Sequence, residues 1–325
     1  MKRTLSLIAD AILFIAIPFA SNAQVVSVKS KPMESTKVAD RSGYDMIGDA
    51  LYEVIYEYHV LTKAKGAMSV SNEGSSIIVR NSQAESPEGQ DDTFSDTYTT
   101  ILQFGSGQAR FLDYLAYRVD SLAFAGAPED LLSKASREVA RSSFYFEPVV
   151  FQNWPEGSMT VDDILVPSLF TYTEDMSLEW ILGEGRKEVC GYPCQEARTS
   201  YAGRDWTVWY APTVPVNAGP WKLSGLPGLI MEARDADGLH CFTATSLRKT
   251  ACPIVRVQEA GRDKTQRNRF IQRRNSSGGN SLDNVPIESV RSVSVIKNAN
   301  GGVIILNGNM PVRTTNHTFV PLELR

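Results

Sequence analysis

The chain is poor in the residues that most often carry enzyme chemistry. Its 325 residues include three histidines, His59, His240 and His317, and four cysteines. No HExxH helix motif, no GxSxG elbow and no clustered metal-ligand spacing occurs, so the common zinc-hydrolase and serine-hydrolase signatures are excluded. An excess of positive charge is missing as well. Lys and Arg number 33 against 37 Asp and Glu, a formal net charge of −4. That balance gives no field to hold a nucleic-acid backbone or an anionic bilayer. Beyond the first 23 residues no stretch is apolar enough to span a membrane. No internal repeat is found. With 42% apolar and 22% charged residues, the composition excludes a collagen, a coiled coil and wholesale disorder.

What is present begins with an export signal. Lys2 and Arg3 precede an apolar run from Ala11 to Ala20, and Ser21 and Ala23 are small residues at the −3 and −1 positions of a cleavage site. Ten uninterrupted apolar residues are too few for a membrane anchor, so residues 1–23 read as a secretory signal peptide. Residues 24–45 read as a flexible leader and 46–325 as a single β-rich domain. The expected location is periplasmic or secreted.

Side-chain periodicity then sets the fold class. Tyr52, Val54, Tyr56, Tyr58 and Val60 alternate with Glu53, Glu57 and His59, a half-buried strand to which Ser75–Val79 is expected to pair. Residues 82–96 are acidic and turn-rich, and read as a loop. Strands are expected at 98–104, 143–152, 159–165 and 169–172. Phe111–Tyr117 is apolar but ambiguous in period. Pro128–Ala140 reads as a helix, with Pro128 at its start and Glu129 and Asp130 at the positive end of its dipole. Gly183-Glu184-Gly185 reads as a turn after Trp180-Ile181-Leu182. Asp205–Tyr210 carries large apolar groups on both faces, as a central strand does. An Asp237-Gly238 turn would pair Ala233 with Phe242 and set Cys241 opposite Arg234. Asp263–Arg274 reads as a helix, anchored by Phe270 and Ile271 and carrying a solvated basic face. Residues 275–284 read as a loop, and 291–297 with 302–306 as a last strand pair. The sum is an α+β fold with a mainly antiparallel, curved, half-barrel-like sheet and at least two helices.

Cys190, Cys194, Cys241 and Cys252 are even in number, and an exported chain favours disulfides. Three pairings exist. A Cys241–Cys252 bridge with Cys190 bridging to Cys194 is the preferred expectation. A thiolate metal site is the rival. It is disfavoured because His240 and Cys241 are strand neighbours and point to opposite faces.

One segment is specific enough to carry a resemblance. Gly219-Pro220-Trp221-Lys222-Leu223-Ser224 runs directly into Gly225-Leu226-Pro227-Gly228-Leu229-Ile230. This text resembles the core motif of the GLPGLI family of exported bacterial proteins. Gly191-Tyr192-Pro193-Cys194-Gln195-Glu196-Ala197 is similar to a second family element, and Gly203-Arg204 with Trp209-Tyr210 to a third. Asp235 comes after the motif, and Phe319-Val320-Pro321-Leu322-Glu323-Leu324 is similar to the closing element. The resemblance implies an exported β-rich protein and assigns no reaction, cofactor or catalytic residue. Physically, Gly225, Pro227 and Gly228 form a tight turn that delivers Leu229-Ile230 into a central strand. A phosphate loop is disfavoured because Lys-Ser/Thr is missing and a strand comes next.

Two functions remain open. The first is a non-catalytic envelope binding or carrier protein for an apolar or peptide cargo, or for an envelope protein partner. Its ligand would lie against Trp206, Trp209, Tyr210, Trp221 and Leu226. Core is the better reading of the tryptophans, each of which then buries roughly 150–250 Å², and the opposed faces of Trp206 and Trp209 let only some of them share one pocket. The second is a hydrolase using dispersed carboxylates, with Asp205, Asp235 and Asp237 as candidates. The balance favours a protein that is not an enzyme.

Overall fold

The structure is a computed structural model and describes residues 43–63, 68–73, 76–81, 93–105, 107–258, 261–279, 285, 293–298, 301–306, 310–315 and 317–325. The signal peptide, most of the leader, residues 82–92 of the acidic loop and residues 280–284 lie outside them. Nineteen strands and three helices are described. The first half holds β1 (Tyr44–Gly48), β2 (Ala50–Lys63), β3 (Met68–Glu73), β4 (Ser76–Asn81), β5 (Thr93–Gly105) and β6 (Ala109–Asp113), then α1 (Tyr114–Phe124) and α2 (Glu129–Arg141). Next come β7 (Val149–Gln152), β8 (Ser158–Leu165), β9 (Ser168–Asp175), β10 (Ile181–Val189), β11 (Tyr192–Tyr201), β12 (Arg204–Ala211), β13 (Leu229–Asp235) and β14 (His240–Lys249). The last part holds β15 (Ile254–Val257), β16 (Asp263–Lys264), α3 (Arg267–Ser276), β17 (Val293–Asn298), β18 (Gly301–Leu306) and β19 (Met310–Thr315).

Twelve strands form one sheet in the order β10-β11-β12-β13-β14-β2-β5-β6-β7-β8-β9-β16. Every neighbour pair is antiparallel except β9 with β16. The fold is thus α+β, built on one large curved sheet that does not close. Its curvature comes from the connectivity. β9 lies next to one edge and β10 is the other edge, yet five residues, 176–180, join them. Five residues span at most about 18 Å. The two ends of the sheet must therefore curl toward each other.

Several sequence expectations change here. Ser76–Asn81 pairs with β3, not β2, whose partners are β5 and β14. Thr93–Asp96 extends β5 instead of ending a loop. Glu53 points away from the core as alternation requires, but helix α1 covers that face. Tyr117 donates to Glu53 Oε2 at 2.7 Å, and Arg248 pairs with the other oxygen. α1 itself starts where the period was ambiguous. Asp113 caps it, accepting from the Leu115 N–H at 2.7 Å.

Gly183 and Gly185 do not turn the chain; both lie within β10. A Cβ at Gly185 would collide with Glu196 Oε2 and sit 2.8 Å from Trp209. The glycines therefore leave room for side chains from β11 and β12. The β13–β14 register is the expected one, Ala233 with Phe242 and Arg234 with Cys241. The turn is longer than expected. Gly238 N–H bonds Asp235 O at 3.0 Å, with Gly238 in the left-handed region.

All four cysteines are free thiols, which corrects both expected disulfides. Cys241 lies at the start of β14 and Cys252 beyond its end, so about 26 Å of strand separates them. Cys190 occupies the first position of the two-residue β10–β11 turn, whereas Cys194 lies in β11 opposite Lys187. Burial pushes the Cys194 thiol up to about 11.

Candidate functional site

The segment between β12 and β13 fills the curl of the sheet. Its backbone is tied to both halves. Gln152 of β7 donates to Gly219 O and Trp221 O at 2.8 Å and Trp180 to Ser224 O at 2.9 Å, and just beyond the segment, in β13, Ile230 O accepts from Tyr56 of β2 at 2.7 Å. Trp221 takes a positive φ of 53°, uncommon for a bulky residue. That conformation turns the chain between Pro220 and Leu223. It also places the indole between Trp206 and Tyr201, tilted against both rings, with centroids 5.8 and 5.5 Å away. At Gly228 a Cβ would meet Ala211 O at 2.5 Å, so the backbones pass too closely for any side chain. Leu229 and Ile230 then enter β13, a central strand, as the turn reading expects.

Lys222, next in the chain after Trp221, is wholly buried. Its ammonium lies 2.5 Å from Glu174, 2.6 Å from Glu323 and 3.0 Å from the Tyr172 hydroxyl. Arg267 of α3 spans the same two carboxylates at 3.1 and 2.6 Å. The basic helix is therefore not a solvated face on every side, because Arg267 and Arg274 turn inward to paired acids. Beside this cluster Arg204 bonds Asp235 at 2.8 Å and donates to Pro321 O at 2.5 Å. His240 lies between Tyr58 and Pro321 O. The carbonyl can only accept, so Nε2 carries the proton and Nδ1 accepts from Tyr58 at 2.8 Å. Burial, with Arg204 adding to it, pushes His240 down to about 3, so the ring is neutral at ordinary pH. Arg204, Lys222, Asp235 and Glu323 come from four separate stretches of the family-like text, and together they pin the C-terminal segment across the curl.

The five expected ligand residues do not form one surface. Trp206, Tyr210 and Leu226 belong to the packed core, and Trp209 lies on the opposite face beneath Lys187, 4.6 Å from its ring. Trp221 borders a cavity but is itself 1% exposed. Of the acids named for a hydrolase, Asp235 is paired with Arg204, Asp237 is exposed and lies 3.8 Å from the same guanidinium, and Asp205 accepts from Ser200 at 2.5 Å. Among the described residues no group of three or more His, Cys, Asp or Glu is placed to hold a metal ion.

Two cavities do converge. One, of about 370 Å³, lies between α1, α2 and the face of β6–β9 turned away from the motif segment. Leu112, Val119, Val139, Val149, Ile164 and Val255 give it an aliphatic wall. The other, of about 190 Å³, lies at the mouth of the curl, where Tyr58, Tyr98, Tyr172 and the C-terminal segment meet. Four residues border both: Tyr145, Glu147, Asp163 and Arg313. The sheet explains the opening. β7 begins at Val149 opposite Asp162, so Asp163 faces the gap left where residues 143–148 depart from the sheet.

Charges of both signs line that gap. Arg274 donates to Asp163 Oδ2 at 2.5 Å and lies 3.8 Å from Glu147, which lies 3.7 Å from Arg313. Arg313 rests over the Tyr145 ring at 4.1 Å and caps α2 through Val139 O and Ser142 O. Burial pushes the Asp163 carboxyl up to about 7 against the pull of Arg274, and Glu147 adds to the rise. Nothing in the local sequence marks this site. Asp162-Asp163 lies in an ordinary strand, Glu147 in a connection, and the arginines near the C-terminus.

Residues 201–232, which are β12, the motif segment and most of β13, match a family described as "Protein of unknown function (Porph_ging)". No curated protein matches the chain. Two solved structures of PNGF-II, in the C2 and P21 space groups, are similar to it at 16% and 13% identity, with TM-scores of 0.38 and 0.41. They cover 67% and 78% of this chain and 31% and 36% of their own. The chain thus spans about a third of the length of PNGF-II.

Proposed function

We propose that the protein is an exported, non-catalytic binding or carrier protein of the GLPGLI type. Its ligand carries an apolar body that lies in the 370 Å³ cavity. One observation carries this reading: a cavity within the usual size of small-ligand pockets, whose lining sets an aliphatic wall beside the ion pairs Arg110–Asp120 and Arg256–Asp162 and the charges of Glu147, Asp163, Arg262 and Arg313. The N-terminal signal pattern supports export. The apolar cargo expected from the sequence is kept, but its site moves from Trp206, Trp209, Tyr210, Trp221 and Leu226, which do not form one surface, to the cavity beneath the helices.

The test is binding of the neutral fluorophore N-phenyl-1-naphthylamine to the full chain. Ala116→Trp and Val149→Trp place an indole in the cavity and are expected to weaken binding at least tenfold, with the circular dichroism spectrum unchanged. Undiminished binding by both folded variants would refute the assignment. A second reading, hydrolysis, is favoured by one fact, the raised pKa of Asp163 beside Glu147. Incubation of the protein with the dipeptide Leu-Leu separates the two, since a carrier returns it intact and a hydrolase releases leucine.

A further inference from the structure

One buried donor bordering the 370 Å³ cavity has no acceptor among the described residues. Arg110 of β6 borders that cavity with a side chain 3% exposed. Its Nη2 pairs with Asp120 of α1, which borders the cavity as well. Its Nε is buried and, among the described residues, has no hydrogen-bond partner. Folded proteins leave few buried polar groups unpaired, and a donor on a charged group is the costlier kind. The cross-strand neighbours do not relieve it. Phe151 on β7 offers only a ring and also borders the cavity. Gln103 on β5 has an acceptor, Oε1, but it too is buried and unpaired, while its amide donates to Cys252 O at 3.3 Å. The two groups thus lie on adjacent strands without bonding each other.

The rest of the lining limits what can complete this donor. Arginines and acids border the cavity in equal number, four of each. A charged ligand would upset that balance and bury an uncompensated ion at large cost. An uncharged acceptor does not. Nor does it disturb the Arg110–Asp120 pair, which is made through Nη2 and not Nε. We infer that the cavity takes an uncharged amphiphile whose carbonyl oxygen accepts from Arg110 Nε and whose chain lies along the aliphatic wall. This rests on the binding reading above and deepens it, by naming the polar anchor and the charge of the ligand. Acyl esters and blocked apolar peptides share this chemistry.

The experiment is displacement of N-phenyl-1-naphthylamine from the full chain at neutral pH. 2-Nonanone is expected to displace it at least tenfold better than 2-methylnon-1-ene, in which a methylene replaces the carbonyl oxygen, and than the nonanoate anion. Arg110→Lys keeps a cation facing Asp120 but lacks Nε, and is expected to abolish the advantage of the ketone over the alkene. Should that variant fail to fold, nitrogen NMR of the wild-type protein decides, since the Arg110 Nε–H resonance is expected to shift with the ketone and to hold with the alkene. Methyl nonanoate against N-acetyl-leucine methylamide separates an acyl-ester source from a peptide source. Equal displacement by ketone and alkene, or an Nε–H resonance that ignores the ketone, gives the donor to a buried water or to Gln103. Either result overturns the anchor and leaves the carrier reading intact, as does a bound fluorophore that none of the compounds displaces. Nonanoate matching the ketone overturns the uncharged ligand. A fluorophore that does not bind at all overturns both readings.

Discussion

Single buried residues carry much of the specification. Lys222 is a charge inside an aromatic core. It is tolerable because two carboxylates and a phenol surround it and Arg267 balances the second acid. His240 and Asp163 show two opposite ways in which burial acts. The folded pKa of His240, about 3, lies below its ordinary 6.5. The folded chain thus binds fewer protons than the unfolded one between those values. Its stabilising effect is complete above pH 6.5 and fades as pH falls toward 3, by up to ~1.4 kcal/mol per unit. Asp163 rises to about 7 from 3.8. Its effect is complete below the ordinary value and fades as pH rises through 7. Urea unfolding from about pH 4 to 8 should therefore respond oppositely to two substitutions. His240→Gln is expected to flatten the acid side and Asp163→Asn the side approaching neutrality. An unchanged pH dependence in both would contradict these assignments.

At the scale of elements, the long alternating strands were legible because each has one face on the core. β2, β12 and the β13–β14 register needed nothing beyond period and turn chemistry. α2 was legible from Pro128 and its acidic first turn. α1 was not, because its helical period begins immediately after strand β6 and Asp113 is the one signal between them. The Gly183-Glu184-Gly185 stretch misled for a physical reason. Glycine marks turns, but here it clears space for Glu196 and Trp209 across the sheet. The motif glycines differ in the same way. Gly228 faces backbone that cannot move aside, whereas a Cβ at Gly185 meets the ends of side chains. Gly228→Ala is expected to cost ~1–3 kcal/mol, and more than Gly185→Ala. Comparison of their urea midpoints tests the order, which reverses if the motif turn can shift to accept a methyl group.

For the molecule as a whole, the five-residue link between β9 and β10 shapes the interior. It curls the sheet, and the motif segment fills the curl. Trp206 packs there at 1% exposure against Trp221 and Phe242. Trp206→Ala is expected to destabilise the protein by ~3–5 kcal/mol, the cost of a large core cavity. A ligand floor would instead lose binding with little change in unfolding midpoint, so denaturant titration separates core from site.

Sequence by itself determined the strand-rich α+β class, the central strand after the motif turn and the β13–β14 register. Those depend on contacts close in the chain and on a period that can be counted. Only the tertiary structure decided that Trp206 and Trp221 fill the interior while Trp209 lies on the other face, and that the cysteines stay apart. It also decided that Asp163, Glu147, Arg274 and Arg313 meet at the gap beside β7. That meeting joins a strand, a connection, a helix and a C-terminal strand up to 166 residues apart, and no local pattern encodes which charges a curled sheet will bring face to face.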